Sequence, residues 1–241
     1  MENVATFLER NSSCKDQVLI KYTFTLVGCL LISFSWAQKG EELKQSFEFQ
    51  EGVYMSIEDF KSNRPSYTLD IIAGELVTNE EEWTIKAQNM RIKREDLESP
   101  LDLKEVWGIC FNGIPYIKRS LTDGPVTFAI FSGLRLRGKI CYYSYEEEET
   151  KMITVSAYNP LNGRPFRTGK VATKEWVKRE KMLDFVSGEV VDFNKENLLN
   201  WIADDAQLVS SVNELGEAIP WETLYKCLRI YLDRHKVYVK S

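Results

Sequence analysis

The sequence predicts an α+β fold: an antiparallel β-rich domain, a sheet or partly closed barrel, with a C-terminal helical segment packed on it. Three observations carry this. Residues 67–191 break into short apolar or alternating runs separated by turn residues, and residues 192–241 change to helical periodicity. Neither a Pro- or Ser-rich linker nor an internal repeat divides the two parts, so they are expected to share one core. With 241 residues, 44% of them apolar, the chain is long enough to bury that core.

The elements follow in order. Ser56 is placed to cap a short helix through Phe60, with Glu58 and Asp59 in its first turn and Asn63-Arg64-Pro65 ending it. Strands are expected at 68–72, 82–90, 106–111, 115–119, 126–131, 134–145, 152–158 and 182–191. Asn112-Gly113 supplies the positive φ angles of a tight hairpin, and Asp123-Gly124-Pro125 and Asn162-Gly163 mark further turns. Along residues 139–145, Ile140, Tyr142 and Ser144 share one face and Cys141, Tyr143 and Tyr145 the other, which predicts a strand covered on both sides and interior to its sheet. The run Glu146–Glu149 reads as a solvated hairpin tip. Asn194 caps a helix carrying Leu198, Trp201 and Ile202, and Asp204-Asp205 interrupts it and recaps a second one with Leu208, Val209 and Val212. Pro220 then opens a helix whose stripe of Trp221, Leu224, Tyr225, Leu228, Tyr231 and Leu232 must dock on the β domain, with Arg234, His235 and Lys236 at its negative end.

The amino end predicts export. Lys21 precedes an uncharged run over residues 22–36, and Ser35-Trp36-Ala37 places small residues at the two positions signal peptidase reads before Gln38. Residues 1–37 are therefore read as a signal peptide, cleaved between Ala37 and Gln38, followed by a β-rich domain over 38–191 and a helical segment over 192–241. The uncharged run is shorter than the roughly 20 residues that span a bilayer, so no transmembrane helix is expected in the mature protein. Glu2, Glu9 and Asp16 are out of place in a positive n-region, and residues 1–18 read as a non-native extension ahead of a start near Val18 or Leu19. Leu26-Val27-Gly28-Cys29 offers the alternative of lipidation at Cys29. Both routes take the protein out of the cytoplasm. Cys110, Cys141 and Cys227 remain in the mature chain, where a Cys110–Cys141 disulfide and buried free thiols both stay open.

Function classes narrow by residue type. A net charge of -5 with dispersed cations argues against nucleic acid as a partner. No Walker loop is present, and Gly133-Leu134-Arg135-Leu136-Arg137-Gly138 lacks the inner glycine pattern of a dinucleotide fingerprint, so no cofactor is expected. His235 is the one histidine, set between two cations at a helix end, which speaks against a catalytic triad and against zinc. A glycosidase needs only two carboxylates, for which Glu75, Glu105 and Asp184 are candidates. Trp83, Trp107, Tyr116, Tyr142, Tyr143 and Tyr145 can stack on sugar rings or fill the core. Arg135, Arg137 and Lys139 alternate as on one side of a strand, a candidate row for lipid headgroups or acidic glycans.

The run Gly52-Val53-Tyr54-Met55-Ser56-Ile57-Glu58-Asp59-Phe60-Lys61-Ser62-Asn63-Arg64-Pro65, then Val106-Trp107-Gly108-Ile109-Cys110, residues 193–205 and residues 231–239, together with the signal end Trp36-Ala37-Gln38, resembles a family of exported Bacteroidota proteins of unknown function. The resemblance implies a cell-envelope setting, in the periplasm or associated with the outer membrane of a diderm bacterium, and carries over no catalytic residue. The expectation is a non-catalytic binding or structural module whose partner is an envelope protein, glycan or lipid surface. The alternative is an exported carboxylate-dependent hydrolase such as a glycosidase.

Overall fold

From the amino end, β1 (Gly52–Tyr54) leads through helix α1 (Ile57–Lys61) to β2 (Tyr67–Thr68). Strands β3 (Ile72–Asn79), β4 (Thr84–Arg94), β5 (Leu97–Pro100), β6 (Gly108–Phe111), β7 (Ile114–Lys118) and β8 (Phe128–Gly133) follow. They hydrogen-bond as one antiparallel sheet in the order β2-β1-β6-β7-β8-β4-β3, with β5 added along β4. The sheet curls into a half-barrel. In this computed structural model the described residues are 40–94, 97–119, 128–158, 160–216 and 219–239. Cys29, Ala37 and Gln38, in the segment read as a signal peptide, and the turn expected at Asp123-Gly124-Pro125 lie outside them. Glu42–Val239 form one unit, and of the other, Met1–Glu41 with Lys240–Ser241, only Gly40 and Glu41 are described.

Period-two alternation decides the layering, because successive side chains of a strand point to opposite faces. Val53, Ile109 and Tyr116 turn into the hollow of the curled sheet with Ile85, Met90 and Phe131. Their neighbours Tyr54, Cys110 and Ile117 face the other way, onto Phe60 of α1, Phe47, Phe49 and Leu183. The hairpin between β6 and β7 turns through Asn112 (φ 52) and Gly113 (φ 68), both in the left-handed region the sequence called for.

A second, three-stranded sheet contains β9 (Ile140–Tyr158), β10 (Pro165–Asp184) and β11 (Val190–Asp192) in that order. Its Cys141, Tyr143 and Leu183 join the core beneath the curled sheet, while Ile140, Tyr142 and Met182 face the helices. These are α2 (Lys195–Trp201), capped by Asn194, α3 (Ala206–Glu214), capped by Asp205, and α4 (Trp221–Arg234), with Pro220 as its N-cap. Leu224, Leu228 and Tyr231 of α4 are buried with Leu198, Ile202, Leu208 and Val212 against that strand face. The α+β architecture and the docking of the tail are as the periodicity predicts. Cys110, Cys141 and Cys227 are free and buried.

Several strand assignments are corrected. Residues 134–139 are an irregular connection rather than the start of a strand, and β9 begins at Ile140. That strand is covered on both faces yet forms an edge of the three-stranded sheet, not its interior. It continues straight through Glu146–Glu149, which lie mid-strand opposite residues 175–178, so the glutamates are not a turn. The reversal falls instead around residues 160–164, near the expected Asn162-Gly163 turn. The single strand expected at 182–191 is divided by a turn at 185–187 into the end of β10 and the start of β11, and the first part of β10, from Pro165, was not marked. Beyond Tyr145 the ribbon is open to solvent on both sides, so no apolar alternation marks it.

Candidate functional site

A cleft of about 420 Å³ opens at the margin between the two sheets. The curled sheet contributes Trp107, Lys118 and Arg119; the three-stranded sheet contributes Tyr143, Tyr145 and Lys181. Three of the six candidate stacking aromatics thus meet in one place. Trp107 sits just before β6, where its N–H donates to the Tyr54 carbonyl at 2.9 Å and its ring packs on Phe60 at 4.9 Å between centroids. Alternation along β9 sends Tyr143 and Tyr145 to the same face, their rings stacked 6.4 Å apart.

The cations are held rigidly around these rings. Arg119 lies over the Tyr145 ring at 4.5 Å, its Nε donates to Ser132 Oγ at 2.7 Å, and its Nη1 donates to the Glu146 carbonyl at 3.3 Å. Lys118 donates to the backbone carbonyls of Leu103 and Lys104. Lys181 pairs with Asp192 at 2.6 Å. Burial lowers the pKa values of Lys118 and Arg119 from their ordinary positions, countered by nearby carboxylates and, for Arg119, by Tyr145 as well. Burial likewise raises that of Tyr143, so its hydroxyl stays protonated and able to donate. Cations fixed beside aromatic rings suit a ligand that presents both a flat face and a negative charge.

Carboxylate chemistry finds less support here. Glu105 is the one carboxylate among the described lining residues of this cleft. Asp184 is occupied by the turn after β10, accepting from the backbone N–H groups of Val186 and Ser187. Glu75 lies on exposed β3 beside Gln88. The three are not brought together, and glycoside hydrolysis needs two carboxylates facing one bond. Among the described residues, no cluster of three His, Cys, Asp or Glu side chains has metal-site geometry.

Arg135, Arg137 and Lys139 do not form a row. Because residues 134–139 bend, each side chain leaves in its own direction. Arg137 is 9% exposed and donates to the carbonyls of Phe47 at 2.7 Å and Gly113 at 3.4 Å. Arg135 reaches the Glu82 carbonyl at 3.4 Å above the Trp83 ring. Lys139 turns to Asp204 and Tyr231 on the helical side. Arg135 and Arg137 do border a smaller cleft of about 330 Å³, shared with Lys44, Tyr225 and Arg229. The remaining aromatics are dispersed: Tyr116 and Tyr142 are core residues in different layers. Arg119 and Lys118 did not stand out in the sequence as site residues, although both lie in the strand expected at 115–119.

No family model, curated protein or solved structure matches the chain.

Proposed function

We propose that the chain is an exported, non-catalytic binding module of the cell envelope whose aromatic and cationic cleft receives an acidic saccharide. The observation that carries the reading is the convergence of Trp107, Tyr143 and Tyr145 with Lys118, Arg119 and Lys181 around one opening. Aromatic side chains offer apolar faces to the C–H face of a sugar ring, and fixed guanidinium and ammonium groups match a uronate or sulfate. The signal-peptide pattern ending at Ala37 and the resemblance to exported Bacteroidota proteins support the envelope setting.

Titration of the purified protein with uronate-containing and sulfated oligosaccharides, followed by Trp fluorescence and calorimetry, tests the cleft. Acidic oligosaccharides should bind and neutral ones of the same size should not. Tyr145→Ala and Arg119→Gln should each weaken binding about tenfold or more while leaving the far-UV spectrum unchanged. Binding that is equal for neutral and acidic sugars, or untouched by both variants, overturns the assignment. Amino-terminal sequencing of the protein recovered from cells tests export: a mature chain starting at Gln38, or at a lipidated Cys29, supports it, and an intact cytoplasmic chain refutes it.

A further inference from the structure

Strands β9 and β10 run for 19 and 20 residues, far beyond the sheet that anchors them. Strand β11 pairs only with Lys181, Met182 and Leu183, so beyond the Glu146–Lys178 pair the two strands hydrogen-bond to no other strand and form a two-stranded ribbon. At about 3.3 Å per residue, the arm extends roughly 40 Å. A two-stranded ribbon without a core is marginal in water, so its residues must serve something outside the fold.

The composition of its outer part says what that is. Between Thr150 and Thr173 the sequence holds Lys151, Arg164, Arg167 and Lys170 and no acidic residue, in a chain whose net charge is -5. Arg164, Arg167 and Lys170 have no carboxylate within ion-pair distance among the described residues. Apolar side chains stand in water on both faces of the same stretch: register places Ile153 opposite Val171 on one face and Met152 opposite Ala172 on the other. Met152 is 59% and Tyr158 61% exposed.

We infer that the outer half of this arm is a docking surface for an anionic lipid bilayer, independent of the saccharide cleft. Cations interleaved with apolar and aromatic groups suit the headgroup boundary, where the charges meet anionic headgroups while the apolar groups enter the interface. A second copy of the chain fits less well. Antiparallel overlap of two arms would set basic ends against acidic bases, but four of those base carboxylates are already engaged. Glu147 and Glu149 pair with Arg179 at 2.5 and 3.2 Å, Glu148 with Lys174 at 2.8 Å, and Glu175 with Lys151 at 3.5 Å.

Flotation of the purified protein with vesicles tests the inference, using phosphatidylcholine alone and phosphatidylcholine mixed with phosphatidylglycerol. The protein should float with the mixed vesicles, stay behind with the neutral ones, and be released by high salt. The combined variant Arg164→Glu, Arg167→Glu, Lys170→Glu should lose about tenfold or more of the binding. Ile153→Ser with Val155→Ser should weaken it without changing its salt dependence. An environment-sensitive probe on Thr154→Cys should shift to the blue on mixed vesicles only, a readout that does not depend on a loss. Equal flotation with both vesicle types, or full binding by the charge-reversed variant, overturns the inference. So does an arm-dependent dimer, or arm-dependent binding to a soluble polyanion, without vesicle binding. Because Arg119 and Tyr145 are untouched by these variants, failure here leaves the saccharide reading standing, and the reverse holds.

Discussion

Lys139 and Asp204, 65 positions apart in the chain, are joined ammonium to carboxylate at 2.6 Å. The Tyr231 hydroxyl lies between them, accepting from Lys139 at 2.7 Å and donating to Asp204 at 2.7 Å. The contact fastens the bend before β9 to the corner between α2 and α3 and to helix α4. Next to it, Asp205 caps α3 through the Leu208 N–H at 3.0 Å and accepts from Arg234 at 2.9 Å, while His235 stacks on Tyr231.

This corner makes stability acid-sensitive. Burial raises the pKa of Asp204, but hydrogen bonds from Lys139 and Tyr231 outweigh it and hold the carboxyl below its ordinary 3.8. The Leu208 N–H and then Arg234 depress Asp205 in the same direction. A carboxylate depressed in the folded state contributes stability above its unfolded value, and that contribution is lost as pH falls through the folded value. Chemical unfolding across pH should therefore show stability dropping in the acid range below 3.8, and Asp204→Asn with Asp205→Asn should flatten that drop.

Leu228 has no exposed surface and lies among Ile140, Tyr142 and Met182. Leu228→Ala should lower stability by about 2–5 kcal/mol in urea unfolding, the cost of lost burial plus a cavity. Truncation before Pro220 should give insoluble protein, because it strips the helix-facing side of the three-stranded sheet. Soluble truncated protein with an unchanged melting temperature would refute the core assignment of α4.

At Gly52, φ is +153, and a Cβ there would lie 2.4 Å from the Tyr67 carbonyl oxygen and 2.6 Å from Pro65 Cβ. Both neighbours belong to the chain that closes back from α1 onto β1, so neither yields cheaply. Gly52→Ala should cost on the order of 1–3 kcal/mol or more, read as a lower denaturant midpoint.

The buried thiols should be inert. Burial, reinforced by Glu51, raises the pKa of Cys110 to about 12, and burial raises that of Cys141 to about 12. Thiolate is the reactive form, so native protein at mildly alkaline pH should leave Cys110, Cys141 and Cys227 unalkylated by peptide mass mapping. All three should label once denaturant is added, and a Cys110–Cys141 disulfide in the native protein would contradict the structure.

Where side chains pack, the sequence was readable. The caps at Ser56, Asn194 and Asp205, the Asn112-Gly113 hairpin, and the α4 stripe all follow from local chemistry that the tertiary structure reinforces. The arm was readable only in part: the strand at 152–158 and the turn at Asn162-Gly163 stood out, but Glu146–Glu149 and Lys174–Lys178 hold strand geometry through cross-strand pairing without a core face to imprint a period. The cleft was half readable. Its aromatics stood out by type, but only the meeting of two sheets brings Trp107 and Arg119 to Tyr145. Arg135, Arg137 and Lys139 misled because a bend, invisible in an alternating pattern, scatters them.

Leu43, Phe47 and Phe49 belong to the same buried cluster as Val239, and the Leu43 N–H donates to the Val237 carbonyl at 2.9 Å. This layer is therefore closed by residues from both ends of the unit, with Val237 and Val239 reaching Leu43 across nearly its whole length. A contact between such distant positions carries a large loop-closure cost, so this seal should form after the local hairpins and helices are in place.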